Sequence, residues 1–159
     1  MGAFIWHEWA HFVALTSSCY TAWAAYYGLF YRKVFWDFIG GTLRAPGGLQ
    51  PSPAIVPLTN VIVKLPLIQM VAFFVALAII TLELAPSFIK NLAIYRTWVP
   101  RIVFLLIQAV LAALFYQGTN GAIWSLMAMF GYIQAQINGE ELAELKQGRG
   151  PTRGGGSKA

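Results

Sequence analysis

Five residues near the amino terminus have the types and spacing for recognisable chemistry: His7-Glu8-Trp9-Ala10-His11 matches H-E-x-x-H. On a helix, residues four apart share a face. Two imidazoles could then hold one zinc ion while the glutamate acts as general base toward a bound water. A catalytic zinc needs a third protein ligand. His7 and His11 are the only histidines, and Asp37, Glu83 and Glu140 are the distant acids near apolar segments. None of the three lies in a recognisable ligand motif. His7 and His11 therefore stand as candidate metal ligands without a completed site, and no catalytic or cofactor-binding residue is assigned. The competing reading makes them interfacial side chains that anchor the first helix. The single cysteine, Cys19, excludes an internal disulfide and any cysteine-based metal cluster.

Two amides are the next polar groups that could act. Gln69 and Gln108 lie inside apolar segments. They could line a polar path for a solute, or hydrogen-bond between helices. No Asp, Glu, Lys or Arg falls at the middle of any apolar segment, so a proton relay or a charged-substrate site lacks its usual residues. The string Arg44-Ala45-Pro46-Gly47-Gly48 is not a phosphate loop, because it lacks the Gly-Lys-Ser/Thr ending.

The elements that must position these groups are read best from the longest uncharged run. From Ile102 to Gly139 there are 38 residues without a charge. One helix of that length would measure roughly 57 Å, nearly twice the hydrocarbon core of a bilayer. Gln117-Gly118-Thr119-Asn120-Gly121 interrupts it, and Gly118, Asn120 and Gly121 favour a tight turn. The run thus predicts two antiparallel spans, about 99–116 and 121–138. A first span, about 10–31, begins after the interfacial pair Trp6 and Trp9. A second, about 65–82, lies between Lys64 and Glu83. Pro66 and Pro100 suit the first turns of their helices.

Each predicted span carries a stripe of small or amide residues. In the first, Ala14, Ser18, Thr21, Ala25 and Gly28 recur at helical spacing. The second has Gln69, Ala72 and Ala76, the third Gln108, Ala109, Ala112 and Ala113, and the fourth Gly121, Ser125, Ala128, Gly131 and Ala135. Small faces let helices approach closely in lipid, and a four-helix bundle lets the four stripes meet. The expected fold is an all-α four-helix transmembrane bundle over residues 1–145. Short helices in the interface are expected around Phe88–Tyr95 and after Gly139, and a disordered, basic, Gly-rich tail over 146–159. The longest connection, Val34–Asn60, is rich in Gly and Pro and is expected as a loop, unless the second span extends back to Pro57.

Composition agrees with a membrane. Hydrophobic residues make up 58% of the 159-residue chain and charged residues 11%, against about 25% charged in an ordinary soluble domain. The net charge of +5 does not point to nucleic acid, because the basic residues sit at the ends of apolar segments, where lipid headgroups lie. With four spans, Lys90, Arg96, Arg101, Lys146, Arg149, Arg153 and Lys158 share one side with the termini. Arg32, Lys33, Arg44 and Lys64 share the other. The excess of positive charge predicts that both termini are cytosolic, and spans near 18 residues suit a thin endomembrane slightly better than a plasma membrane.

Three strings carry a resemblance: Trp6-His7-Glu8, Tyr31-Arg32-Lys33-Val34-Phe35-Trp36-Asp37-Phe38-Ile39-Gly40-Gly41, and Phe115-Tyr116-Gln117-Gly118-Thr119-Asn120-Gly121. They resemble a family of small fungal multi-pass membrane proteins known only as a domain of unknown function. The resemblance implies a fungal source and four spans over about residues 1–145, and no activity. The expected role is a non-enzymatic organising or accessory subunit, with membrane lipids, other membrane proteins or a second copy as partners and no cofactor. The rivals are a small transporter or channel component and a membrane enzyme using His7-Glu8-x-x-His11.

Overall fold

The computed structural model describes residues 4–34, 52–84 and 97–140, and all regular elements among them are helical. They are α1 (Trp6–Phe30), α2 (Val56–Val63), α3 (Leu67–Leu84), α4 (Val99–Ala113), a 3-10 turn (Tyr116–Gly118) and α5 (Thr119–Ile137). The interfacial helices, residues 35–51 of the expected 34–60 loop and the 146–159 tail lie outside the described residues, and the end of that loop is helical, as α2.

The four longer helices form an up-down-up-down ring. Close approaches fix the directions. Gly121 faces Thr21 and Gly131 faces Trp9 and Ala10, so α5 runs against α1. Gln69 lies by Gly28 while Glu83 lies by His11, so α3 also runs against α1. Helices α1 and α4 stand on one diagonal, each packed mainly on α3 and α5. This is the antiparallel order expected of helices joined in sequence.

Proline sets the start of α3. Residues 64–66 separate α2 from α3. Pro66 has no N–H, so the carbonyl of Ile62 loses the donor four residues ahead that a continuous helix would supply. The Gln69 side chain fills the gap, with its Nε2 donating to the Ile62 carbonyl at 2.9 Å. Gln69 is thus partly spent on mending a break in its own chain. At the following junction, Phe115 turns extended and pairs with Val34. Tyr116 N–H donates to the Lys33 carbonyl at 3.1 Å, and the Gln117 amide donates to the Tyr31 carbonyl at 2.7 Å. Gly118 stands before α5, whereas Asn120 and Gly121 lie in its first turn. The reversal is therefore made by residues 114–118, slightly earlier than the glycine spacing suggested.

Small and amide residues line much of the interior beside the large buried side chains Ile79, Leu105, Phe115 and Tyr132, and many large apolar residues face outward. Ala14, Ser18, Thr21, Ala25, Gly28, Gln69 and Gln108 are all buried. Phe12 is 67% exposed, Trp23 62%, Phe74 63% and Val110 57%. By length and composition one described helix, α3, is long and apolar enough to cross a membrane, and α4 is apolar but shorter.

Candidate functional site

Ionisable side chains from α1, α3, α4 and the turn after α5 gather at one end of the bundle. The construction begins at the end of α5. Gly139 has φ of +65°, a left-handed conformation that glycine adopts at little cost. Its N–H donates to the Gln136 carbonyl at 3.2 Å, and Glu140 N–H donates to the Ala135 carbonyl at 2.9 Å. This pair of bonds is a Schellman motif. It aims Glu140 at the start of α1, where the first N–H groups have no partner within their own helix. Trp6 and His7 N–H donate to the Glu140 carboxylate at 3.2 and 2.9 Å. The carboxylate also accepts from His7 Nδ1–H at 2.7 Å. A residue 134 positions away thus caps a helix that has no cap of its own. Trp98 Nε1–H donates to the Glu140 carbonyl at 2.7 Å and locks the turn.

Burial pushes the Glu140 carboxyl upward, but the hydrogen bonds from His7 and Trp6 and the nearby imidazole outweigh it. The net effect holds the group below the ordinary carboxylate value and keeps it ionised at neutral pH.

One turn further along α1, His11 Nδ1–H donates to Glu83 near the end of α3 at 2.8 Å. The other oxygen of Glu83 lies 3.4 Å from Arg101 Nε in the first turn of α4. The Glu83 and Arg101 side chains are 1% and 2% exposed, whereas His11 is 36% exposed. The Arg101 guanidinium also lies 5.3 Å from the Trp98 ring and 5.9 Å from that of Tyr132, which stack on each other. Each charge sits at the unfavourable end of its helix, an acid at a C-terminus and a base at an N-terminus. Their mutual attraction, not the helix dipole, holds them there.

The two histidines of H-E-x-x-H are thus each engaged by a different carboxylate through Nδ1. Glu8 is exposed and takes no part. The described residues contain no group of three His, Cys, Asp or Glu side chains placed to hold a metal ion. Sequence reading named Glu83 and Glu140 only as acids bracketing apolar runs and missed both pairings, together with Trp98, Arg101 and Tyr132. The one available signal was that two histidines on one face needed partners, and both acids lie at the same end of an antiparallel bundle. A groove of about 800 Å³ lies at the opposite end between α1 and α5, lined by Tyr20, Trp23, Tyr27, Tyr31, Ile123 and Leu126 among others. No residue of the charged cluster reaches it.

A family model described as a domain of unknown function (DUF7727) matches residues 1–140, and the chain belongs to that family. No curated protein and no solved structure matches it.

Proposed function

We propose that this chain is a four-span integral membrane protein, from a fungus as the resemblance implies, that organises or assists other membrane components without catalysing a reaction. The observation that carries the reading is the inverted placement of side chains. Alanine, glycine, serine and glutamine line most of the helix–helix faces, beside a few large side chains such as Ile79, Leu105 and Phe115, while Phe12, Trp23, Phe74 and Val110 face outward. Soluble monomers rarely leave so many large apolar side chains exposed to water. In lipid that surface costs nothing, and close approach of small faces is what drives helices together.

Average hydropathy understates this pattern in α1 and α5. Their serines, threonines and amides lower the mean, yet Ser17, Ser18, Thr21 and Ser125 are buried, so lipid would meet only the outer face. By rise per residue, the 18 residues of α3 and 19 of α5 span about 27 and 28 Å, close to a thin endomembrane core. The charged end suits an anchored, self-contained cap. Glu140 serves α1, and Glu83 serves His11 and Arg101, so the cluster stitches helices together. Arg101 is paired and buried, which leaves six basic residues against four in the orientation count and still favours cytosolic termini.

The test is extraction with alkaline carbonate combined with glycosylation mapping. The protein should stay with the membrane pellet. An acceptor placed between Gly40 and Pro53 should be modified, and one in the C-terminal tail should not. Release into the supernatant would end the membrane reading, and the reverse glycosylation pattern would end the orientation. A second reading, a small transporter component, is favoured by buried polar atoms without partners on Ser18, Thr21, Gln69 and Gln108. Solute flux in proteoliposomes separates the two.

A further inference from the structure

Hydroxyls inside helices usually return their proton to a carbonyl one turn back. Here Thr16 donates to the Phe12 carbonyl, Ser17 to that of Ala14, Thr81 to that of Leu77 and Ser125 to that of Gly121. Ser18 and Thr21 do not. Both are wholly buried, and neither hydroxyl has a partner. Across the bundle, Gln108 is wholly buried too. Its Nε2 donates to Ser125 Oγ at 2.7 Å, and its Oε1 accepts nothing.

Thr21 and Gln108 both reach one turn of α5. Thr21 lies against Gly121, the residue whose carbonyl Ser125 binds, and Gln108 binds that same Ser125. The antiparallel register that sets Thr21 by Gly121 and Ala10 by Gly131 brings Ser18, one turn back, to the level of Ser125. Apolar layers close both ends. Ala14, Ile79, Leu105 and Ala128 lie toward the charged cluster, and Ala25, Ala72, Ala112 and Phe115 toward the turn at 116–118. A buried hydroxyl or amide oxygen left unpaired is destabilising, so three at this level of the bundle call for an occupant.

We propose that the centre of the bundle is an occluded polar site that holds ordered water between Ser18 and Thr21 of α1 and Gln108 of α4. Water fits the donor set. The orphan amide oxygen needs a donor, the two hydroxyls can give or accept, and one water supplies two donors and two acceptors. No carboxylate faces these groups among the described residues, so no fixed charge calls for a cation. The proposal rests on the interior alone and stands whether lipid or water covers the outside.

The test uses the full chain, reconstituted in bilayers for water-edited solid-state NMR and in mild detergent for thermal unfolding. Magnetisation from water should reach Thr21 and Ser18 at mixing times that leave Ala14 and Ala25 dark. Thr21→Val keeps the side-chain shape and should lower the unfolding midpoint by about 2–4 °C, the shift expected when a bonded hydroxyl is removed from a chain of this size. Ser18→Ala should act in the same direction. A Thr21 that receives no water magnetisation overturns the proposal, as does a Thr21→Val protein as stable as or more stable than the parent. A midpoint that rises with sodium but not with choline would assign the site to a cation and overturn the assignment to water. Outer apolar residues take no part, so carbonate extraction can fail while this result stands, and the reverse.

Discussion

Glu140 shows how much one side chain can carry when a backbone turn aims it. Its carboxylate takes the two N–H groups at the start of α1 and the His7 ring, and its own carbonyl takes Trp98. Because the folded protein holds its pKa below the ordinary value, the sign of its pH dependence is fixed. The contribution is complete above the unfolded value, near 4.5, and is lost as pH falls through the lower, folded one. Glu140→Gln should therefore melt below the parent at pH 7, and the gap between the two should close as pH drops below about 4.5. Thermal unfolding of both proteins from pH 7 to 3 measures it, and a gap that widens in acid would contradict the assignment. Glu83 makes a different case. Removing one member of a buried pair costs about 3–5 kcal/mol, while replacing both with apolar residues can be neutral. Glu83→Leu should be strongly destabilising, and adding Arg101→Leu should recover part of the loss. Denaturant unfolding of the two single variants and the double variant gives the coupling directly.

At the scale of helices, contact between α1 and α5 is set by glycine. A Cβ built on Gly131 would lie 2.9 Å from Ala10 Cβ and 2.9 Å from ring carbons of Trp9. Ala10 cannot retreat, because its Cβ is fixed to the backbone. Alanine at 131 gains helix propensity of about 1 kcal/mol over glycine, but overpacking costs about 1–3 kcal/mol. Gly131→Ala should lower stability, whereas Met127→Ala on the exposed face of the same helix should change it little. Gly131→Ala raising the melting temperature would mean the helices are not in register. The small face of α5 was legible in the sequence, because small residues recur at three and four positions, but its pairing with Trp9 and Ala10 was not. The same period put Ser18, Thr21, Gln69 and Gln108 on inward faces. It could not say that Gln69 mends the carbonyl left bare by Pro66, because that depends on where α2 ends. Nor could it join His7 to Glu140 or His11 to Glu83, 133 and 72 residues apart. Those pairs follow from antiparallel topology and from the Gly139 turn, and neither is written as a local repeat.

For the whole molecule the question is which solvent meets the outer surface, and the energetic sign of a surface charge answers it. Phe74 lies near the middle of α3 and Val110 near the C-terminal part of α4, and both face outward. An aqueous surface would accept arginine at either site with a change within about 0.5 kcal/mol and better solubility, because no packed contact is lost. A lipid surface would not. Arginine at the centre of a spanning helix costs about 2.5–3.5 kcal/mol on insertion scales. The wider interior offers no escape, since α3 presents Gln69, Ala72 and Ala76 to its neighbours and leaves no room for a long side chain to turn inward. Phe74→Arg should therefore lower the inserted fraction in a microsomal translation assay by tenfold or more, and the steady-state amount of protein with it, while Val110→Arg, nearer a helix end, should lower it by less. Phe74→Leu and Val110→Leu should insert like the parent. Arginine variants that fold, stay monomeric in buffer without detergent and gain solubility would place water on this surface, and the small-residue interior would then need another explanation.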